Sequence, residues 1–349
     1  ISQRAQKRDV TQIDPVIEEA FERMRKAAKN EGNISGVPSG ITELDKITSG
    51  WQKSDLIIIA ARPAMGKTAF VLSMAKNIAV NFKRPVAMFS LEMSNVQLVN
   101  RLIMNVCEIE GDKIKNGRLS KQEWDKMETK INELMGAPIY IDDTPGLSIF
   151  ELQSKARKLV REKGVELIII DYLQLMNANG ANFGSREQEV SIISRRLKWI
   201  AKELDIPVIA LSQLNRNVEK RDSSNSNVEG KKPQLSDLRE SGAIEQDADM
   251  VCFIHRPEYY RIFNDDKTGK DLRGLGQIIV AKHRNGATDE VWMRFIGKYA
   301  KFQNESDDFD QSIYDTPAES SSTNTTFQSR MNSLSEADGA KLDDDITPF

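Results

Sequence analysis

The chain has 349 residues, of which 39% are hydrophobic and 29% are charged, and its net charge is −3. This composition fits a globular protein of one large or two modest domains, and no apolar run approaches the ~18 residues of a membrane span. The charge is uneven: residues 305–349 hold 11 acids and 2 bases, which leaves 41 acids and 47 bases, a net charge of +6, for the rest of the chain. A mildly basic body with an acidic tail is compatible with nucleic-acid binding.

The chain ends and the cysteines indicate the compartment. The first residues, Ile1 to Arg4, are polar and do not resemble a signal peptide, and the missing Met suggests a fragment of a longer protein. The two cysteines, Cys107 and Cys252, are far apart and have no metal-ligand spacing. We therefore expect reduced cysteines and a cytoplasmic protein with no membrane association.

The first predicted element is an amphipathic helix over residues 14–30. Asp14 and Pro15 suit its first turn. Its apolar positions recur every three or four residues: Val16, Ile17, Ala20, Phe21 and Met24. A Gly-rich joint over residues 32–40 follows, so we expect the helix to lie outside the main domain and to need another surface for its apolar stripe.

Beyond the joint, short apolar strands alternate with helical patterns. The predicted strands are Leu56–Ala60, Pro85–Ser90, Pro138–Ile141, Leu167–Asp171 and Pro207–Ser212. The predicted helices are 67–82, 94–106, 120–135, 148–164 and 186–205. This alternation predicts an α/β fold with a mostly parallel central sheet that helices cover on both faces.

The last third of the chain changes character. A polar loop at 215–233 leads to a predicted strand at Met250–Ile254. A C-terminal antiparallel extension is predicted to follow, with strands at Gln277–Lys282, Glu290–Phe295 and Ala300–Gln303. Ser, Thr, Asn and Asp dominate from residue 304 onward, so we expect a disordered acidic tail. The predicted divisions are a linker helix and joint (1–35), a main domain (36–303) and the tail (304–349).

The most informative motif follows the first strand of the main domain. Residues 61–68 read A-R-P-A-M-G-K-T and open an apolar helix, so backbone N–H groups and a helix N-terminus would face phosphates. We expect Lys67 to reach the β- and γ-phosphates of ATP and Thr68 to hold Mg²⁺. Ala61 stands where the motif usually has Gly, a position that needs a tight turn more than a missing Cβ. The predicted nucleotide-binding residues are Ala61, Arg62, Pro63, Ala64, Met65, Gly66, Lys67, Thr68 and Ala69.

Three other strands end in polar side chains. Asp171 follows four apolar residues, and we expect it to hold Mg²⁺ as a Walker-B aspartate does. Glu92 is placed to orient and deprotonate the attacking water. Gln213 is placed to bond the γ-phosphate and to report its loss to the following loop. The alternatives are an ordinary Asp that starts a loop, a Glu that caps the helix at Ser94, and a plain loop Gln.

Six co-linear motifs carry a family resemblance over residues 10–303: ARPAMGKTAF, FSLEMS, IIIDYLQLM, LSQLNR, DLRESGAIEQDAD and AKHRNG. They resemble the RecA-like motor domain of the DnaB-family replicative DNA helicases, without the N-terminal domain that contacts primase. The resemblance implies a RecA-like P-loop NTPase fold and a homo-hexameric ring that hydrolyses ATP at subunit interfaces. It also implies 5′→3′ unwinding on single-stranded DNA at the replication fork, with a helicase loader and a primase as partners.

The resemblance assigns roles to cations outside the P-loop. Lys282 and Arg284 point the same way because side chains alternate along a strand. A neighbouring subunit would supply this pair to the γ-phosphate as an arginine finger, whereas the alternative is a solvated pair on a strand. Arg101, on the helix after Glu92, would approach the catalytic centre or remain an exposed helical Arg.

Two loops are candidates for DNA contact. The segment 236–242 resembles the main DNA-binding loop of the family, with Arg239 on a phosphate, Glu240 as its orienting partner and Gly242 allowing close backbone approach. The polar loop carries further cations: Arg216, Lys220, Arg221, Lys231 and Lys232. This polar loop is either a second DNA-binding loop or a solvent-exposed loop that does not contact DNA. Backbone recognition predicts salt-sensitive binding with little sequence dependence.

Several features keep more than one interpretation. The last eight residues, LDDDITPF, resemble the acidic tip of bacterial single-strand-binding proteins, so the tail ending in Phe349 docks a replication partner or only solubilises the chain. Tyr259 and Tyr260 with Arg256 flank the nucleotide base or pack internally, and we expect Trp199 and Trp292 in the core. Two other functions stay open: a recombinase or DNA-dependent ATPase without unwinding, and a nucleotide-gated assembly platform.

Overall fold

The computed structural model describes residues 10, 12–29, 34–178, 184–214 and 228–307. The strands in these residues form one sheet in the order β3-β2-β4-β5-β1-β6-β7-β8-β9. The strands are β1 Leu56–Ala61, β2 Val86–Ser90, β3 Ile139–Asp142, β4 Leu167–Asp171, β5 Val208–Gln213, β6 Met250–His255, β7 Leu275–His283, β8 Asp289–Ile296 and β9 Lys301–Asn304. Pairings from β3 to β6 are parallel and those from β6 to β9 are antiparallel.

The helices are α1 Ile13–Lys29, α2 Thr42–Thr48, α3 Lys67–Lys76, α4 Asn95–Cys107, α5 Gly111–Asn116, α6 Lys121–Leu134, α7 Ile149–Lys163, α8 Arg186–Leu204, α9 Val228–Lys231 and α10 Gly242–Asp247. A π-helical turn, Asn77–Asn81, continues α3. A 3₁₀ helix, Leu235–Ser241, runs directly into α10. Among the described helices, none combines the length and apolar character needed to cross a membrane.

The parallel strands consist mainly of apolar residues because both faces of the sheet are covered, and β2, β3, β4 and β5 each end in a polar residue. In β1, Ile57 and Ile59 face the cluster that includes α3, α4 and the antiparallel strands. Leu56 and Ile58 face the opposite cluster, which α7 and α8 complete. The alternation of side chains along the strand therefore divides the core into two layers.

The predicted strand bounds agree with the structure to within two residues, so the predicted α/β sheet is confirmed. The helix predicted over 67–82 is present as α3 followed by the π-helical turn Asn77–Asn81, a change of helix type that the sequence pattern did not distinguish. Part of the predicted joint also belongs to the body of the domain. Val37 forms an antiparallel bridge with Trp51, and both residues are buried.

Trp199 contradicts the prediction that it lies in the core. Its side chain is 43% exposed on α8, where Arg196 lies 5.6 Å from its ring. Trp292 is partly buried against a small cluster around Leu272. Cys107 and Cys252 are free, buried thiols.

Candidate nucleotide-binding site

The P-loop, residues 61–68, lies at the carboxyl edge of the sheet, where the parallel strands end. The loop leaves β1 at Ala61, and α3 begins at Lys67. Two of its residues take left-handed backbone conformations, Ala64 with φ 64° and Gly66 with φ 94°. A Cβ at Gly66 would also lie 3.0 Å from the ring of Phe302, so both backbone strain and close packing favour glycine at this position.

Three functional side chains converge where the P-loop meets β4. The Lys67 ammonium donates to the carbonyl oxygen of Ala61 at 3.1 Å. The Thr68 hydroxyl donates to Oδ2 of Asp171 at 2.8 Å, and Asp171 is only 1% exposed. The sequence predicted these groups from two motifs about a hundred residues apart, and the parallel sheet brings them together.

Burial and neighbouring charges shift the acid–base properties of this group. Burial lowers the pKa of Lys67, while the negative charges of Asp171 and Glu92 act in the opposite direction. Burial raises the pKa of Asp171, and the Glu92 charge adds to this rise, whereas the Thr68 hydrogen bond and the Lys67 charge oppose it. Each charge therefore depends on the others, which is typical of functional sites.

Glu92 and Arg101 approach this group from β2 and α4. Glu92 is exposed two residues beyond the end of β2. The alternative role of Glu92, as the cap of α4, is already filled, because Ser94 and Gln97 form a reciprocal capping box. Arg101 is half-buried on α4, and its charge acts to lower the pKa of Asp171.

Gln213 ends β5, beside the P-loop, and its side chain is exposed. Its backbone N–H donates to Oε1 of Gln174 at 3.3 Å. The Gln174 amide in turn donates to the Ser212 hydroxyl at 2.8 Å and to the Gln213 carbonyl at 3.3 Å. Sequence reasoning missed Gln174, although a polar residue within the apolar run D-Y-L-Q-L-M was an available signal.

Two arginines, one within the P-loop and one after β6, donate hydrogen bonds that hold the loop in place. Arg62 is 6% exposed, and its guanidinium donates to the carbonyl of Leu214 at 3.5 Å. Arg256 donates to the carbonyl of Ala64 at 3.4 Å and lies 3.8 Å from the ring centroid of Phe295. Sequence reasoning did not predict this bracing role of Arg256. Within the loop, Pro63 is exposed, while Met65 and Ala69 are buried.

The two tyrosines after β6 differ in their exposure. Tyr260 stacks on His255 with ring centroids 5.6 Å apart, which is a packing role. Tyr259 is 46% exposed and meets Tyr260 edge to face.

Lys282 and Arg284 lie at the opposite, amino edge of the sheet. Strand β7 is antiparallel to β6, so His283 pairs with Met250, the first residue of β6. The Lys282 ammonium donates to the carbonyls of Glu245 at 2.6 Å and Ala248 at 2.9 Å. Within one chain, these cations are therefore separated from the P-loop by the length of the sheet.

Most of the predicted DNA-contacting side chains lie outside the described residues. They are Arg216, Lys220, Arg221, Arg239 and Glu240, and the tail from residue 308 to Phe349 also lies outside them. The backbone of 235–241 is 3₁₀-helical, and Gly242 begins α10. Lys232 of the second candidate loop forms an ion pair with Glu290 at 2.7 Å and is mostly covered.

The geometry can be compared with known proteins. The family profile described as the DnaB-like helicase C terminal domain matches residues 36–304. The chain belongs to this family. The replicative DNA helicase DnaB of Geobacillus stearothermophilus is 44% identical to this DnaB-like chain over 311 residues, which is 89% of the chain and 66% of that relative. The replicative DNA helicase DnaC of Bacillus subtilis (strain 168) is 43% identical over 304 residues, 87% of the chain and 64% of that relative.

Solved structures give the same result. The ATPase domain of G40P superposes with a TM-score of 0.76 at 42% identity, covering 85% of this chain and 99% of that one. A DnaB-like replicative helicase, whose structure is described together with its interactions with primase, gives a TM-score of 0.72 at 41% identity, covering 85% and 67%. These similarities confirm the RecA-like fold. The DnaB-like chain spans less than two thirds of the length of the first curated relatives.

Proposed function

We propose that this chain is the ATP-hydrolysing motor of a replicative DNA helicase. The observation that carries the proposal is the meeting of Lys67, Thr68 and Asp171 at the carboxyl edge of the sheet, in a chain of the DnaB-like family. A half-buried cation, a hydroxyl and a carboxylate around a loop that opens a helix form the group of side chains that P-loop enzymes use on triphosphates.

The residues present fit a nucleotide with Mg²⁺. The phosphates would lie against the P-loop N–H groups and Lys67, while Thr68 and Asp171 would hold the ion. Bound Mg²⁺ would neutralise charge on the phosphate oxygens. The Thr68 hydroxyl already lies 2.8 Å from the Asp171 carboxylate, so both oxygens face one small volume.

The other residues divide the work of hydrolysis. Glu92 would accept the proton of the attacking water, and Gln213 would contact the γ-phosphate and move when that contact is lost. Lys282 and Arg284 would act on the site of a neighbouring copy, because in their own chain they lie at the opposite edge of the sheet. If each site is completed by the next copy, the copies associate head to tail, and such an arrangement can close into a ring. We propose that this ring is a hexamer.

The partners follow from the family. We propose that single-stranded DNA passes Arg239, Glu240 and Gly242, and that Arg216 adds a second contact. Loader and primase would bind the complete ring, and translocation would run 5′→3′ in the cytoplasm at the replication fork. The division into a linker (1–35), a motor (36–303) and a tail (304–349) that docks a partner through Phe349 belongs to the same proposal.

Unwinding of a forked DNA duplex, measured together with ATP turnover, tests the proposal. Wild type should separate the strands only with ATP and Mg²⁺, and Lys67→Ala should lose both activities by at least about 100-fold. Lys46→Ala is the matched control, because Lys46 is an exposed lysine paired with Glu43 on α2. ATP turnover that leaves the fork paired would favour a DNA-dependent ATPase, and equal unwinding by Lys67→Ala and wild type would favour an assembly platform.

A further inference from the structure

The two cations at the amino edge are held in a defined position by groups from α10 and the start of β6. Lys282 donates to the carbonyls of Glu245 and Ala248, as described above. The Arg284 guanidinium donates to the carbonyl of Gln246 at 2.5 Å. These acceptors are the last carbonyls of a helix and the residue that follows it, and basic side chains commonly satisfy such groups.

Asp249 is the charged member of this set of acceptors. It is 5% exposed, and its Oδ1 lies 3.5 Å from Nη1 of Arg284. The other carboxylate oxygen, Oδ2, accepts from the backbone N–H of Leu56 at 2.8 Å and from the Lys198 ammonium at 2.5 Å. The carboxylate is therefore fixed to the first residue of β1 and cannot rotate away without losing buried hydrogen bonds.

The backbone reinforces the same contact. The N–H of Arg284 donates to the carbonyl of Asp249 at 2.9 Å, and the N–H of Asp249 donates to the carbonyl of Leu56 at 3.0 Å. Three strands, β1, β6 and β7, are thus joined at Asp249. A shift of α10 or of the start of β6 would therefore displace Arg284, because hydrogen bonds and an ion pair join Arg284 to Gln246 and Asp249.

The acceptors leave part of each cation available. A lysine ammonium has three donors, and the two carbonyls engage two of them. Arginine has five N–H donors, and the side chain of Arg284 remains 47% exposed. The arrangement orients the two cations without covering them, which is what a group that acts on an external anion requires.

We propose that Asp249 is a positioning residue that, together with the last carbonyls of α10, fixes Lys282 and Arg284 in the orientation in which one copy presents them to the nucleotide site of the next. This inference rests on the proposed function, in which those cations act between copies. The contacts identify a buried anchor that the sequence motif alone does not reveal. This anchor, Asp249, lies directly before β6 and belongs to neither the P-loop nor the strand that carries the cations.

Asp249→Asn is the central variant, because it keeps the shape and an acceptor for Leu56 but removes the charge. The expected result is a fall in the kcat of ATP hydrolysis of about 10-fold, smaller than for Arg284→Ala because the guanidinium remains. ATP affinity, measured by nucleotide titration, should stay within about twofold, since the P-loop is at the far edge. Asp205→Asn, at an acidic residue of the same edge that pairs with Lys53, should behave as wild type.

Mixed assemblies separate a positioning role from general damage. A Lys67→Ala subunit keeps its cations but lacks a working P-loop, whereas an Asp249→Asn subunit has the reverse defect. In a 1:1 mixture about a quarter of the interfaces combine two intact halves, so turnover should rise to about a quarter of wild type. The reference mixture pairs Lys67→Ala with Arg284→Ala and should rise equally.

Each outcome bears on one proposal. If the Arg284→Ala mixture gains turnover and the Asp249→Asn mixture does not, the positioning role is overturned while the proposed function stands. If neither mixture gains turnover, the cations do not act between copies, and the proposed function fails at that point. If Asp249→Asn does not assemble, Asp249→Glu gives the same test, because it keeps the charge but displaces it by one methylene. Its mixture should also regain turnover, and a failure to do so would overturn the inference.

Discussion

At the scale of single residues, the amino edge contains a carboxyl group with unusual acid–base behaviour. Asp55 lies just before β1 and is 7% exposed. Burial and the negative charge of Asp249 raise its pKa to about 6, although Lys198 and Arg284 act to lower it. Folding therefore makes ionisation of Asp55 less favourable, so the ionised carboxylate lowers the free energy of unfolding.

This effect predicts how stability depends on pH. Because the pKa of Asp55 is higher in the folded state than in the unfolded state, the folded state binds its proton more tightly. Protonation of Asp55 therefore increases the free energy of unfolding as pH falls from about 6 towards 4. At pH 8 the group is ionised in both states and this increase is absent. Asp55→Asn should therefore stabilise the protein at pH 8, by on the order of 2 kcal/mol, with little effect near pH 4.

Urea unfolding at pH 8, 6 and 4 measures the effect. Asp142 provides the contrast: burial acts to raise its pKa, but hydrogen bonds to Lys155 and Thr144 outweigh that and lower it. Asp142→Asn should therefore destabilise the protein at pH 8, where Asp55→Asn stabilises it. An Asp55→Asn protein that is equally stabilised at pH 8 and pH 4 would show that lost packing strain, rather than charge, explains its effect.

At the scale of elements, the parallel strands were predictable and the short helices were not. Strand β1 is an unbroken apolar run and β4 is apolar up to Asp171, so their sequence alone distinguishes them. Helix α2 has only seven residues, too few for a periodic pattern, and tertiary contacts hold it. Its Asp45 carboxylate accepts from the N–H groups of Ser39 and Gly40 at 2.7 and 3.0 Å.

The candidate site was also predictable only in part. Lys67, Thr68 and Asp171 follow apolar strands, and the rule that parallel strands end at one edge brings them together. Gln174, Asp249 and Arg256 contact backbone groups distant in sequence. A local pattern marks Gln174 as an unusual polar residue in an apolar run, but it does not report the partner of any of the three. A periodic pattern also does not say which face of a helix is covered. For this reason Trp199 was wrongly placed in the core.

Helix α4 connects local sequence to the site through its first turn. Ser94 accepts from the backbone of Gln97, and the side chain of Gln97 accepts from the backbone of Ser94. This capping box begins the helix two residues after Glu92, and the same helix carries Arg101. A frayed first turn would therefore loosen both the connection that carries Glu92 and the start of the helix that carries Arg101.

Ser94→Ala should lower the free energy of unfolding by about 1 kcal/mol and also lower the kcat for ATP. Ser120→Ala is the matched control, because Ser120 and Glu123 form the same capping box on α6. It should cost a similar amount of stability and leave kcat unchanged. Urea unfolding and steady-state ATP turnover, measured on both variants, test the prediction. Equal kcat values in the two variants would show that the cap of α4 does not affect catalysis.

At the scale of the whole molecule, the features left uncovered on one chain point to assembly. The P-loop and the cation pair occupy opposite edges of the sheet, so each copy offers two different halves of the proposed site. Helix α1 adds an apolar stripe whose large side chains are all exposed: Ile13, Val16, Ile17, Phe21 and Met24. A contiguous exposed stripe of this kind marks an interaction surface. We propose that it docks on the adjacent copy, where it would also bring the two halves of the site together.

The double substitution Ile17→Asp and Phe21→Asp should therefore weaken assembly and ATP turnover together, since each site needs two copies. Glu18→Asp with Glu22→Asp is the matched control, because it places two aspartates at the same spacing on the polar side of α1 and leaves the apolar stripe intact. Sedimentation should show the stripe variant shifted to smaller species at concentrations where wild type and the control remain assembled. Its remaining turnover should rise steeply with protein concentration, as expected when association limits site formation. Hexamers of normal stability from the stripe variant would show that α1 does not hold the ring together. The proposed pairing of the two sheet edges would be unaffected by that result, because the mixed assemblies test it separately.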